Sequence, residues 1–189
     1  MNGALIIAAL WIAFALSWIA AMPWSNPVEK RVGFGKELAY RIVLIVGGIV
    51  LFIPAHGYDG PLRLWYPSIA LFNAVLLAMV IGFAFAWWAR VWLGSLWSGQ
   101  VTKKENHRVV DTGPYRIVRH PIYTGILLAI FATAAIKGTI LGIAGAAIIA
   151  LGLWMKARLE EGWLGQEVDG YEAYRHRVPM LVPFGPKAR

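Results

Sequence analysis

Long apolar runs alternate with short polar segments along this chain, and the lengths of the runs predict membrane helices. Five apolar stretches can be drawn, at about 3–22, 39–55, 67–93, 121–136 and 139–155. A helix that crosses the hydrocarbon core of a bilayer needs roughly 20 apolar residues. We therefore predict an all-α, polytopic integral membrane protein with about five transmembrane helices.

The last two stretches are joined by Lys137 and Gly138 alone, which predicts a tight antiparallel helical hairpin over residues 121–155. Small residues allow close helix approach in lipid. Those expected to do so in the hairpin are Gly138, Gly142, Gly145 and Ala146.

The basic residues predict which way the chain is inserted. Sixteen of the eighteen lysines and arginines lie on one predicted side, in the first loop, around the end of the third stretch and in the tail. Only Arg63 and Lys137 lie on the other. Because basic residues favour the cytoplasmic side, we expect the N-terminus outside and the C-terminus in the cytoplasm of a bacterial inner membrane.

Composition narrows the possible functions. The net charge of +8 is explained by juxtamembrane cations that meet anionic lipid headgroups, so we expect membrane lipids as partners and no nucleic acid. The chain has no cysteine, which excludes disulfides, a zinc–thiolate site and a thiol nucleophile; we expect no metal. The sequence leaves the oligomeric state open.

Two polar clusters flank the predicted hairpin, at residues 113–125 and 156–161. Ionisable groups beside lipid are expensive and usually functional, and a hairpin brings both clusters to the same membrane face. His120 precedes Pro121, a residue that favours the first position of a helix. His120 is therefore expected at a helix N-terminus, where anions such as carboxylates bind.

The other side chains of the clusters fit one type of ligand. Arg119 adds positive charge, Tyr115 and Tyr123 offer flat surfaces for a ring, and Glu160 and Glu161 accept hydrogen bonds from an amine or from ribose hydroxyls. Together they suit a molecule with a carboxylate, an ammonium group, a ribose and a base.

Each feature also has a purely structural interpretation. An Arg-His pair at a membrane boundary serves as a headgroup anchor, and adjacent glutamates on a helix usually form a solvated face. The tryptophans near the inner interface are most simply an aromatic belt; they are Trp87, Trp88, Trp92 and Trp97.

Read in order, the polar segments resemble a known family. Residues 107–110, 113–115 and 119–125, followed by Glu160, Glu161 and an Arg-Val-Pro run at 177–179, are similar to the motifs of isoprenylcysteine carboxyl methyltransferases and related phospholipid methyltransferases. The resemblance covers about half of the chain. It divides the sequence into N-terminal helices, 1–93, and a cofactor-binding methyltransferase region, 94–189.

The resemblance implies an S-adenosylmethionine-dependent membrane methyltransferase acting on a lipophilic acceptor. The cofactor site would be cytoplasmic, formed by the last two spans, the preceding loop and the tail. Its implied cofactor-binding residues are Gln100, His107, Arg108, Val109, Val110, Tyr115, His120, Pro121, Ile122, Tyr123 and Glu160.

The predicted catalytic residues are Lys156, Arg158 and Glu161. The family places a substrate-binding arginine four residues before the cofactor-binding glutamate, but here that position is Lys156, and Arg158 lies two residues before Glu160. Either cation could orient an acceptor, such as a prenylcysteine-like carboxylate. An amine or hydroxyl acceptor would need a general base, for which Glu161 and His107 are candidates.

Two alternatives remain open. Membrane sterol reductases carry a similar Arg-His-Pro-x-Tyr-x-Gly segment but bind NADPH, whose 2′-phosphate calls for further arginines. A small non-enzymatic membrane scaffold would explain the hydropathy but not the order of the polar motif.

Overall fold

The computed structural model describes residues 3–53, 62–104 and 108–187, and this part of the chain is mostly helical. Its six α-helices are α1 (Gly3–Ala20), α2 (Phe34–Phe52), α3 (Ile69–Leu93), α4 (Pro121–Lys137), α5 (Ile140–Glu167) and α6 (Tyr171–Arg177). Two short antiparallel strands, β1 (Val28–Arg31) and β2 (Thr102–Lys104), pair with each other.

Three of the described helices, α1, α3 and α5, are long and apolar enough to cross a membrane. The 17 residues of α4 are apolar but fewer than a simple span requires. The first turns of α2 carry Lys36, Glu37 and Arg41, which shortens its apolar part. The structure thus confirms that the protein is mostly helical, while the count of five spans stays a prediction.

Close helix contacts occur between two pairs of helices, and glycines make them possible. In the α3–α4 pair, a Cβ on Gly82 would lie 2.5 Å from the carbonyl oxygen of Gly125. In the α2–α5 pair, a Cβ on Gly145 would lie 2.5 Å from the backbone nitrogen of Leu51. Gly145 therefore allows the close approach of α5 to α2, and our expectation that it allows the close approach of α4 to α5 is wrong. The hairpin's own turn uses Gly138, whose φ of +60° suits glycine.

The connecting segments gather at two opposite ends of the helices. At one end β1 pairs with β2, and the Asn26 amide donates to the Ser95 carbonyl over 2.8 Å. At the other end the Leu64 amide donates to the Gly138 carbonyl over 2.8 Å. This separation agrees with the grouping of the basic residues; which compartment each end faces stays a prediction.

The longest helix reaches past the predicted membrane span. With 28 residues, α5 is about 42 Å long at 1.5 Å per residue, which exceeds the roughly 30 Å of a hydrocarbon core. Its apolar part ends near Met155, so the segment that carries Glu160 and Glu161 continues as helix beyond it. The tail then folds back through α6 onto the segment before α4.

Candidate active site

The C-terminal tail is fastened to the polar segment that precedes α4. The backbone amides of Arg119 and His120 donate to the carbonyls of Pro179 and Met180 over 2.8 and 3.0 Å. The Tyr174 hydroxyl donates to the Tyr115 carbonyl over 2.7 Å. Two segments almost 60 residues apart in sequence thus form one unit, and the backbone amide of His120 is already used within the protein.

A buried ion pair lies at the centre of this unit. Arg119 Nε donates to Glu161 Oε1 over 2.6 Å, and both side chains are 3% exposed. The Arg119 guanidinium also donates to the carbonyls of Arg175 and Val178. A buried charge pair is tolerated only when further hydrogen bonds satisfy both partners, and the tail carbonyls satisfy the arginine here.

The His120 imidazole lies between two carboxylates. Its Nε2 is 3.2 Å from Glu161 Oε1, and its Nδ1 is 3.5 Å from Glu160 Oε2. Burial by itself lowers the pKa of His120, but the hydrogen bonds and charges of the two glutamates outweigh burial and leave that pKa above its usual value. The ring stacks on Tyr123, with centroids 5.3 Å apart and planes 3° apart.

The second carboxylate, Glu160, faces a cavity and has three donors around it. The Tyr123 hydroxyl donates to its Oε1 over 2.6 Å, and Lys156 Nζ lies 3.9 Å from the same oxygen. Lys156 Nζ also donates to the Gly99 carbonyl over 3.0 Å, which ties α5 to the loop before β2. The donors hold Glu160 in the charged form that would accept hydrogen bonds from a ligand.

That cavity has a volume of about 620 Å³ and is lined by a polar and an aromatic group of side chains, which we call its polar end and its aromatic end. The polar end is lined by Gln100, Arg108, Tyr115, His120, Tyr123, Lys156 and Glu160. The aromatic end is lined by Trp11, Phe14, Trp18, Met22, Leu93 and Trp97. The volume falls in the range of about 300–1,000 Å³ typical of small-molecule sites.

The structure brings most of the residues predicted for the cofactor to this cavity. They are Gln100, Arg108, Val109, Val110, Tyr115, His120, Ile122, Tyr123 and Glu160. Pro121 is buried at the start of α4 and is not among the lining residues. His107 lies outside the described residues.

The three residues predicted to be catalytic lie in three different settings. Lys156 lines the cavity. Arg158 is exposed on α5, with its guanidinium 5.9 Å from the ring of Trp154, and does not line the cavity. Glu161 is 2% exposed and lies behind the cavity wall, against Arg119 and His120.

The aromatic end uses residues that the sequence reasoning missed. Trp11, Phe14 and Trp18 of α1 line the cavity, whereas the hydropathy of the first stretch predicts only a membrane span. Their spacing of three and four residues, which places them on one helix face, is the signal that was present. Trp97, read as part of an aromatic belt, also lines the cavity, and its ring meets that of Trp18 edge-on at 5.7 Å.

A carboxylate from α2 supports the loop at the mouth of the polar end. Glu37 is 4% exposed, and its Oε1 accepts a hydrogen bond from the Val101 amide over 2.8 Å. Arg41 pairs with the other oxygen of Glu37. The loop that carries Gln100 is therefore held by α2 as well as by Lys156.

Comparison with known proteins identifies the region that carries this site. The profile of the isoprenylcysteine carboxyl methyltransferase (ICMT) family matches residues 74–165, just under half of the chain. Methanethiol S-methyltransferase 2 of Bradyrhizobium diazoefficiens is 39% identical over 71 residues, which are 36% of this chain and 26% of that protein.

Two further relatives match a longer region. Protein-S-isoprenylcysteine O-methyltransferase B of Arabidopsis thaliana is 32% identical over 87 residues, 45% of this chain and 44% of the relative. The cobalt-zinc-cadmium resistance protein CzcN of Cupriavidus metallidurans is 29% identical over 94 residues, 48% and 43% of the two chains.

The chain spans less than half the length of each of these relatives. The resemblance read from the motifs is nevertheless confirmed, because the family profile and the named methyltransferases match the same part of the sequence. Residues 74–165 of this chain are therefore similar to the isoprenylcysteine carboxyl methyltransferase family, and with its apolar helices the chain is an integral membrane protein.

Proposed function

We propose that the protein transfers a methyl group from S-adenosylmethionine to a lipophilic acceptor. The observation that carries this proposal is the single cavity with a polar end and an aromatic end. A polar cofactor and an apolar acceptor would then bind side by side in the same cavity.

The donor set of the polar end fits the functional groups of S-adenosylmethionine. Glu160 offers a carboxylate for ribose hydroxyls or an ammonium group, and Arg108 offers a cation for a carboxylate. The ring faces of Tyr115 and Tyr123 suit a base. S-adenosylmethionine, when bound, supplies a methyl carbon on a sulfonium sulfur that leaves as a neutral thioether.

The protein's own contribution is mainly positioning. Displacement at a methyl carbon is in-line, and holding two reactants in the correct geometry removes much of the barrier. Lys156 lines the cavity beside Glu160 and is the cation placed to orient an anionic acceptor. The aromatic end would bind the acceptor's apolar part and exclude water.

The buried glutamate has a different proposed role. Glu161 is enclosed by Arg119 and His120 and has no surface on the cavity, so we infer that it positions His120. Proton transfer from an acceptor would require contact with that acceptor. For an acceptor we favour a prenylcysteine-like carboxylate, which needs no general base.

The test is a methyl-transfer assay on the purified protein in lipid nanodiscs. Tritiated S-adenosylmethionine is offered with prenylcysteine analogues and, separately, with membrane lipid extracts. We expect label in a lipophilic product, and calorimetry should show binding of S-adenosylmethionine but not of NADPH. Binding of NADPH alone would support the reductase interpretation, and binding of neither would support a scaffold.

The matched control is a pair of glutamate variants. Glu160→Gln removes the charge that faces the cavity, whereas Glu172→Gln removes an exposed charge on α6 that pairs with Arg175. We expect loss of labelling only in the first. Equal activity of the two would contradict the assignment of Glu160 to the cofactor.

A further inference from the structure

One buried arginine takes no part in the ion pairs of Arg119, His120, Glu160 and Glu161. Arg90, near the end of α3, has no exposed surface. Its Nη1 donates to the Gly94 carbonyl over 2.7 Å, and its Nη2 donates to the Ala21 carbonyl over 2.8 Å. Within the described part of the chain it forms no ion pair with a carboxylate. A buried guanidinium without a counter-charge is costly, so its location needs an explanation.

Two indole rings enclose the same guanidinium. Its central carbon lies 4.5 Å from the ring centroid of Trp97 and 5.6 Å from that of Trp24. Both distances are within the roughly 6 Å over which a cation is attracted to an aromatic face. The planar guanidinium can stack on a ring while its edges donate to two carbonyls, which the point charge of a lysine cannot do.

The contacts of Arg90 join the ends of two helices. Ala21 directly follows α1, and Gly94 directly follows α3 with a φ of +59°. Met22, the residue after Ala21, and Trp97, three residues after Gly94, line the aromatic end of the cavity. Arg90 is therefore placed to fix the distance between α1 and the segment after α3 without contacting the cavity itself.

The wall that Arg90 supports consists of ring contacts. Trp97 meets Trp18 edge-on at 5.7 Å, and Trp18 meets Trp87 at 5.4 Å. The Trp87 indole nitrogen donates to Ser17 Oγ over 3.1 Å. If the guanidinium were lost, Trp97 would lose its stacking partner and the end of α1 would lose its bond to α3.

We propose that Arg90 is a positioning residue for the acceptor: by bonding Ala21 and Gly94 and stacking on Trp97, it sets the width of the aromatic end. This inference rests on the proposed function, because it assigns the aromatic end to the acceptor. Arg90 acts on acceptor binding, and because its charge also interacts with Tyr115, the cofactor Kd measures whether the effect is confined to the aromatic end.

The experiment compares Arg90→Gln and Arg90→Lys with Arg116→Gln, which removes an exposed arginine from the segment before α4. For each variant in nanodiscs, calorimetry gives the Kd of S-adenosylmethionine, and transfer to a prenylcysteine analogue gives kcat and KM. We expect both Arg90 variants to raise the acceptor KM roughly tenfold, with the cofactor Kd and kcat within about twofold of wild type. Arg116→Gln should resemble wild type.

Hydrogen exchange supplies a readout that needs no activity. In Arg90→Gln the amides of residues 17–25 and 94–98 should exchange faster, while those of residues 160–178 should not. If wild type binds no S-adenosylmethionine, the proposed function fails, and this local change still tests the contacts of Arg90.

Two outcomes would overturn the proposal. One is an unchanged acceptor KM in Arg90→Gln; the other is a joint loss of cofactor affinity, kcat and thermal stability, which marks a general structural role. Should Arg90→Gln not fold, Trp97→Leu keeps Arg90 but removes the ring it supports. The same rise in acceptor KM is expected there, and a wild-type KM would count against the proposal.

Discussion

The two ends of the cavity are held together by different forces. At the polar end, Arg119, His120, Glu160 and Glu161 are fixed by hydrogen bonds and ion pairs of 2.6–3.5 Å. At the aromatic end, α1 meets its neighbours through rings whose centroids are 4.4–5.7 Å apart.

These two kinds of contact imply that the two ends differ in how well they tolerate substitutions. A buried hydrogen bond or ion pair that loses one partner leaves the other unsatisfied, which costs more than the bond contributed. Ring contacts have broad geometric preferences, and apolar surfaces can repack after a volume-conserving change. We therefore expect the polar end to be the rigid part and the aromatic end to be the part in which acceptor preference varies.

The largest expected effect is on stability, at the buried pair of the polar end. Glu161→Gln leaves the Arg119 guanidinium buried without its counter-charge, so we expect a loss of roughly 3–5 kcal/mol in the free energy of unfolding. Thermal unfolding in detergent measures it. Glu172→Gln, which breaks an exposed pair with Arg175, should cost no more than about 1 kcal/mol; equal melting temperatures would show that the buried pair is not structural.

The second expected effect is on cofactor binding, and it distinguishes the roles of the two adjacent glutamates. Glu160→Gln removes the charge that faces the cavity, and hydrogen bonds to charged groups contribute about 1.5–3 kcal/mol. The Kd of S-adenosylmethionine should therefore rise by roughly ten- to a hundredfold while folding is retained. Calorimetry on the folded fraction of Glu161→Gln should show a smaller change. The reverse order would mean that Glu161 is the ligand-binding glutamate.

The third expected effect is at the aromatic end and is on acceptor binding instead of cofactor binding. Trp18→Ala removes a ring that lines the cavity and meets Trp97. We expect the acceptor KM to rise about tenfold, equivalent to about 1.4 kcal/mol, with an unchanged cofactor Kd. Ile12→Ala, on the exposed face of α1, is the control and should leave both constants near wild type. A change in the cofactor Kd alone would contradict the assignment of the aromatic end to the acceptor.

The polar end and the aromatic end also differ in how much of each could be predicted from the sequence. The polar end was predictable because charged residues beside lipid are rare, and their order formed a recognisable motif. Successive residues of a helix are about 100° apart, which explains why Glu160 lines the cavity while Glu161 is enclosed by Arg119.

The aromatic end was not predictable to the same degree. In a membrane helix an apolar residue suits lipid and a cavity equally, so the composition of α1 does not separate Trp18 from the exposed Ile12 and Leu16. Helix lengths were similarly ambiguous, because the charges at the start of α2 and the polar extension of α5 belong to continuous helices. Arg90 was counted with the basic residues around the end of the third stretch, and only the fold shows it buried against Trp97.

A smaller effect is expected from pH, again at the polar end. The carboxylates of Glu160 and Glu161 raise the pKa of His120 in the folded protein, so the folded state binds a proton more tightly than the unfolded state. This stabilisation is complete below the unfolded value of about 6.5 and is lost as the pH rises through the higher folded value. Wild type should lose more stability than His120→Gln between about pH 6 and pH 9. If the melting temperatures of the two proteins change equally with pH, His120 is not charged in this network.

The smallest expected effect separates the two cations of α5. Lys156 Nζ lies 3.9 Å from Glu160 and lines the cavity, whereas Arg158 is exposed beside Trp154. A cation that orients an anionic acceptor must reach it, so Lys156→Ala should raise the acceptor KM by about fivefold, close to 1 kcal/mol, and more than Arg158→Ala does. Neither should weaken S-adenosylmethionine much, because its sulfonium is itself positive. A larger effect of Arg158→Ala would show that the acceptor approaches from the exposed face of α5, which would remove the aromatic end from the acceptor's path.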